Sequence, residues 1–206
     1  MYDERIGEFL ERLADRVPAP GGGAAAALQV GLGAALVGMV GRYSLGEKYA
    51  AHRDVVERVV GESDRLRVAA LRLAEEDAVA FGAVAAAYGL PRDGAEAKAA
   101  RSAAIAEALV GAGRPPVAVV GVAREVVGLA EELLPIGNRN VITDVAAAVE
   151  AARGAAACGR VNVEINLGGI KDEAARAELV AGCADVDEIL ARCDRVTAAV
   201  RELIAW

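Results

Sequence analysis

The residues able to do chemistry in this chain form a short inventory. His52 is the single histidine, which excludes any metal site built on paired histidines. The three serines, Ser44, Ser63 and Ser102, lie in no GxSxG context. The run Gly21-Gly22-Gly23 is not followed by the GK[ST] of a nucleotide P-loop. Nucleophilic and metal catalysis therefore fit poorly, and no metal ligands are expected. Carboxylates, side-chain amides, a few cations and helix termini remain.

Four segments combine those groups. Gly21–Gly23 opens a helix, where free backbone N–H groups and the helix dipole suit a carboxylate or phosphate. The same glycines serve equally as a turn that lets helices pack closely. Asp77 occupies a position where the helical spacing asks for an apolar residue. A carboxylate there either has a partner or carries a raised pKa suited to proton transfer. Gly137–Asp144 holds Asn138, Asn140 and Asp144, a donor and acceptor set that can read a flat heterocycle. Thr143 or Asp144 also makes a sensible helix N-cap. Asn162 and Asn166 are four apart, on one face if their segment is helical, and amides among valines and isoleucines need partners. His52, between Ala51 and Arg53, reads as a surface or packing residue.

Helices must position these groups. Ile6, Phe9, Leu10 and Leu13 recur at helical spacing, and Pro18 and Pro20 end that element before the glycines. A second helix is predicted from about Gly23 to Tyr43, with Gly23, Ala27, Gly31 and Ala35 allowing close approach of another backbone. Glu47 to Tyr88 reads as one long helix, with Val56, Val59, Ser63, Leu66, Ala70, Leu73, Asp77, Ala80 and Val84 in alternating steps of three and four. A helix over Ala95–Ala112 is expected to stop, with Pro115-Pro116 starting another to about Leu133. A further helix begins near Thr143. The C-terminal stretch continues the seam through Leu179, Cys183, Val186, Leu190, Cys193, Thr197, Val200 and Ile204. Val161–Leu167 alternates with period two and reads locally as a strand, yet it has no partner strand. Tertiary context is expected to make it helical or irregular. The fold class is thus all-α, a single-domain bundle of long helices over residues 1–206.

Composition narrows the setting. Hydrophobic residues make up 55% of the 206 residues but aromatics only 3%, so the core is built from Ala, Val and Leu. Small side chains bury little area each, which favours long helices, close packing and oligomerisation. A formal charge of −7 argues against nucleic acid and anionic membrane as partners. Three cysteines without a CxxC pair fit a reducing, cytoplasmic compartment, and the charged N-terminus shows no secretory signal. Gly23–Gly41 is free of charge and near membrane-spanning length, but its Ala/Gly content suits a buried core helix better.

Taken in order, six pieces resemble the formiminotransferase-cyclodeaminase C-terminal domain and its free-standing relatives, the methenyltetrahydrofolate cyclohydrolases. They are Pro18–Ala24, Leu45–Tyr49, Glu76–Phe81, Tyr88–Pro91, Gly137–Asp144, and Asn162–Leu167 with Ile170-Lys171-Asp172. The resemblance implies an all-helical homodimer that binds tetrahydrofolate as substrate, with no tightly bound cofactor. It also implies closure of formimino-tetrahydrofolate to the 5,10-methenyl form, or interconversion of the methenyl and 10-formyl forms. Asp144 and Asp77 would then be the catalytic carboxylates. Asn138, Asn162 and Asn166 would orient the pterin, while Lys48, Tyr49 and the amides of Gly21, Gly22 and Gly23 would contact substrate, the glutamate tail included. Ala24, Glu47 and Val145-Ala146 depart from the residues common at those places in the family. A non-catalytic folate-binding or structural dimer of the same family is the alternative.

Overall fold

In a computed structural model the described residues are 4–205, and among them every regular element is helical. The helices are α1 (Ile6–Ala14), α2 (Gly22–Arg42), α3 (Arg53–Tyr88), α4 (Ala95–Leu133), α5 (Thr143–Leu167), α6 (Glu173–Gly182) and α7 (Val186–Ile204). Short 3-10 turns occupy Glu47–His52 and Arg139–Val141.

The small residues of α2 place it at the centre, against α3, α4 and α5. Its glycines meet α3 in antiparallel register. A Cβ added at Gly31 would lie 3.3 Å from the Ala70 Cβ, at Gly38 3.3 Å from the Ser63 Cβ, and at Gly41 2.7 Å from a Val60 methyl. Of the row Gly23, Ala27, Gly31 and Ala35, the first three are buried, and Ala35 lies in the groove beneath α1. Gly33 turns toward α5, where an added Cβ would stand 2.8 Å from the Ala148 carbonyl oxygen. Gly33→Ala is accordingly expected to destabilise by about 1–3 kcal/mol despite alanine's better helix propensity. A lower urea midpoint at unchanged slope is the predicted reading; an equal or higher midpoint contradicts the close approach.

Both α2 and α4 are long and apolar enough to cross a membrane. In the bundle, Val30, Val37 and Val40 of α2 are fully buried against its neighbours. The α3 seam forms as its spacing predicts, with Val56, Val59, Ser63, Leu66, Ala70 and Leu73 buried. Bidentate Arg124–Asp185 and Arg192–Glu131 pairs tie α4 to the C-terminal segment, the latter at 2.9 and 2.6 Å.

Four expectations change. The stretch from Glu47 begins as a 3-10 turn, because His52 (φ −119°, ψ 14°) leaves the helical region before α3 starts. Helix α4 runs unbroken through Pro115 and Pro116, both buried, since the proline ring's fixed φ is helical and packing on both sides offsets the lost bonds. Neither Thr143 nor Asp144 caps α5. The preceding 3-10 turn leads straight into it through Ile142, which is already helical (φ −65°, ψ −26°) and donates no side-chain cap. Val161–Leu167 is helical, one of the two outcomes expected of a strand-like segment without a partner strand: it is the last part of α5, and the helix it extends overrides its period-two pattern. The C-terminal seam is split at Cys183–Asp185 between α6 and α7, and Ile204 is exposed while Cys193 and Val200 are buried.

Candidate functional site

Four elements converge at the N-terminal end of α2. Asp77 projects from α3 directly onto that end. A Cβ added at Gly23 would lie 2.0 Å from Asp77 Oδ1 and 2.4 Å from its Cγ, so the missing side chain is the space the carboxylate occupies. The Ala24 backbone N–H donates to Asp77. This is one of the first-turn donors that no helix can satisfy internally. Helix α2 begins at Gly21 without a side-chain cap and without an acidic residue in its first turn, so Asp77 supplies from α3 what α2 lacks. Burial pushes the Asp77 carboxyl up from the ordinary carboxylate range, and the Ala24 N–H opposes that in smaller measure.

The facing wall is α5. Cys158, Asn162 and Asn166 stand at steps of four along one side. Asn162 Nδ2 donates to the Cys158 carbonyl at 2.8 Å and contacts its Sγ at 3.3 Å; Asn166 Nδ2 donates to the Asn162 carbonyl at 2.9 Å. These back-bonds tie both amides to the helix and leave the second N–H of Asn166 available. The Oδ1 atoms remain as acceptors. Cys158 Sγ in turn donates to the Gly22 carbonyl at 3.4 Å, joining α5 to the first turn of α2. Burial pushes the Cys158 thiol up, the Asn162 contact opposes, and the charge of Asp77 adds to the rise. The thiol is therefore a neutral donor near neutral pH rather than a nucleophile.

A cleft of about 230 Å³ lies between these walls. Phe81 and Ile165 border it and are 47% and 78% exposed, large apolar side chains without a core to enter. Ala112 and Pro116 contribute from α4. Among the described residues lining the cleft, Asp77 is the sole ionisable one. Polar acceptors on one side and apolar faces on the others suit a flat, nitrogen-rich ring. Four other clefts, of about 290 to 580 Å³, are larger; in those of about 570 and 580 Å³ the carboxylates stand with Arg72, Arg114 or Lys171, and the α6 N-terminus bordering the latter is already capped by Asp172.

The cleft thus brings together Gly21, Gly22, Gly23, Asp77, Asn162 and Asn166. Lys48, Tyr49, Asn138 and Asp144 sit at the other end of the bundle. Along α5 the eighteen-residue step from Asp144 to Asn162 spans about 27 Å at 1.5 Å per residue. Within one chain, then, Asp77 and Asp144 share no cleft, and Lys48 cannot meet a ligand held by Gly21–Gly23. Asn138 is engaged in structure: its Nδ2 donates to the Tyr43 carbonyl at 3.0 Å and its Oδ1 accepts the Asn140 N–H at 3.0 Å. Its own N–H donates to Ser44 Oγ at 2.9 Å, so the loop is pinned to the end of α2. Lys48 Nζ lies 5.5 Å from the centre of the Tyr49 ring, and no cleft residue is near them in sequence or register. Cys158, which lies behind the cleft wall, and the lining residues Phe81, Ala112, Pro116 and Ile165 are not selected by sequence reasoning. The four-residue step Cys158–Asn162–Asn166 was the available signal for the first. Among the described residues no three His, Cys, Asp or Glu side chains are grouped to hold a metal.

The molecule is thus an all-α bundle with a lone carboxylate seated on a helix terminus and lining a cleft. The family profile for formiminotransferase-cyclodeaminase matches residues 5–185, and the chain belongs to that family. It is 42% identical over 173 residues to the methenyltetrahydrofolate cyclohydrolase of Methylorubrum extorquens, covering 84% of this chain and 83% of that protein. The formimidoyltransferase-cyclodeaminase of Sus scrofa is 31% identical over 172 residues, and there the chain spans only 32% of the relative's length. The crystal structure of formiminotetrahydrofolate cyclodeaminase from Thermotoga maritima superposes with a TM-score of 0.83 at 26% identity, covering 98% of this chain and 96% of that one.

Proposed function

We propose that this protein is a tetrahydrofolate one-carbon enzyme that makes or opens the 5,10-methenyl ring, and that it acts as a cyclohydrolase. The observation that carries the reading is Asp77, a single half-buried carboxylate on the first turn of α2 in a cleft with no other charge. The methenyl carbon belongs to a cationic N5–C–N10 unit, and one uncompensated carboxylate is its electrostatic complement. Ring opening adds water to that carbon; one proton of the water ends on N5 as the C–N5 bond breaks, and the other leaves to solvent. Asp77 takes the first proton and returns it to the departing nitrogen, a task its raised pKa suits. The Oδ1 atoms of Asn162 and Asn166 accept ring N–H groups. Cyclohydrolase is favoured over cyclodeaminase by the greater identity to the cyclohydrolase relative, 42% against 31% and 26% for the two cyclodeaminases.

The remaining residues enter through a homodimer. Helix α2 leaves Leu32 61% exposed, beside Ile6 and Leu10 of α1 at 77% and 54%, an apolar strip that a second copy covers. Two α2 helices packed antiparallel would set the Lys48-Tyr49 and Asn138–Asp144 end of one protomer beside the glycine loop of the other. Asp144 is then a second working carboxylate, and Lys48 meets the anionic glutamate tail. We further read residues 1–206 as one domain, supported by the single core that α2, α3, α4, α5 and α7 share. Cytoplasmic residence is supported by three free cysteines.

The test follows absorbance of the methenyl chromophore with formimino- and methenyl-tetrahydrofolate side by side. Enzyme-dependent loss of the methenyl band is expected. Its appearance from the formimino substrate alone would make the protein a cyclodeaminase. No change with either substrate, with folate still bound, would leave a non-catalytic binder.

A further inference from the structure

Pro115 and Pro116 stand side by side in the middle of α4, a helix of 39 residues. In a helix each carbonyl accepts an N–H from the residue four on, or from three on where the coil tightens. For Ala112 those residues are Pro116 and Pro115, and neither has an N–H to give. Ala112 is the one position of α4 denied both partners. Gly111 loses Pro115 but keeps Arg114 as a donor three residues on.

The direction of that carbonyl matters. Helical carbonyls point along the axis toward the residue four on, and Ala112 and Pro116 both line the Asp77 cleft. The oxygen between them therefore belongs to the cleft wall. The side-chain amides across the cleft bond elsewhere, Asn162 Nδ2 to the Cys158 carbonyl and Sγ and Asn166 Nδ2 to the Asn162 carbonyl. A largely buried backbone acceptor without a donor needs one from outside the chain.

We infer that the Ala112 carbonyl is a substrate acceptor, receiving an N–H from the edge of the flat, nitrogen-rich ring held in the cleft. The identity of that ring rests on the proposed folate activity; the acceptor itself follows from the paired prolines and their place. With Asp77 and the Asn162 and Asn166 oxygens it adds a fourth acceptor to the polar side of the cleft, which favours a ring edge rich in donors. The two prolines thus withhold a hydrogen bond from the helix so that the ligand can make it.

Pro116→Ala and Pro115→Ala separate this role from packing. Each removes a helix-interior proline, so each should raise Tm. Only Pro116→Ala gives Ala112 its normal helical donor. It is expected to raise KM for methenyl-tetrahydrofolate, and Kd for 5-formyl-tetrahydrofolate, about tenfold, which corresponds to 1.4 kcal/mol, with kcat within twofold of wild type. Pro115→Ala should change neither constant by more than twofold. Pro116→Ser restores the same N–H with a different side chain and should match Pro116→Ala. Wild-type affinity in both Pro116 variants, or equal weakening by Pro115→Ala, would overturn the inference while leaving the folate reading intact. A wild-type protein that binds no folate would remove both.

Discussion

Asp77→Asn should lower turnover of methenyl-tetrahydrofolate by about two to four orders of magnitude, the usual worth of a positioned acid-base group, without destabilising the protein. The amide keeps an oxygen to accept the Ala24 N–H, so the first turn of α2 stays capped. The sign of the stability change follows from the direction of the pKa. The folded carboxyl titrates above its unfolded value because burial disfavours the charge. Between those two pH values the folded state binds more protons, so wild-type stability falls as pH rises through that window. Above it, Asp77→Asn should melt at a temperature equal to or higher than wild type, and below it the difference should shrink. Rates report the same group. An activity that needs the carboxylate declines as pH drops through the raised value, and this acid limb should be absent from the residual activity of the variant. Full turnover in a folded Asp77→Asn protein would remove Asp77 from the chemistry.

Gly23→Ala is expected to cost both activity and stability. On helix propensity alone, alanine would be favoured here by roughly 1 kcal/mol. The new Cβ, however, would stand 2.0 Å from Asp77 Oδ1 and 2.4 Å from Cγ, far inside van der Waals contact. Either the carboxylate swings off the helix terminus or α2 and α3 move apart. Overpacking of this kind typically costs about 1–3 kcal/mol. Turnover should fall about as far as in Asp77→Asn, since the carboxylate is displaced from the same place. Urea unfolding and steady-state rates check the two halves together. A Gly23→Ala protein that is more stable and fully active would show that Asp77 does not need its seat on α2.

Much of this architecture can be read from the residue pattern, and each exception has a physical cause. The α3 seam is legible because Val56 through Leu73 keep a strict helical rhythm, and Asp77 stands out as a break in it. Asn162 and Asn166 are legible for the same reason once their segment is helical. The paired prolines mislead, because the cost of a proline is local whereas the packing that offsets it comes from α3 and α5. Ile142 misleads in the opposite way: a 3-10 turn runs into α5, so the chain never takes the extended conformation a Thr143 cap would need. Cys158 is hidden in an alanine-rich run where a thiol resembles any small core residue. Phe81 and Ile165 matter because they are exposed, and exposure depends on what fails to pack over them. Asn138–Asp144 was grouped with Asp77 because both carry suitable groups, yet residue type carries no information on which end of α5 they occupy.

A crystal structure with 5-formyl-tetrahydrofolate bound would locate the ring. It is expected in the cleft, one edge against Asp77, the Asn162 and Asn166 oxygens and the Ala112 carbonyl, with Phe81 and Ile165 on its faces. A ring bound against Asn138 and Asp144 of one chain, with the Asp77 cleft empty, would contradict that placement.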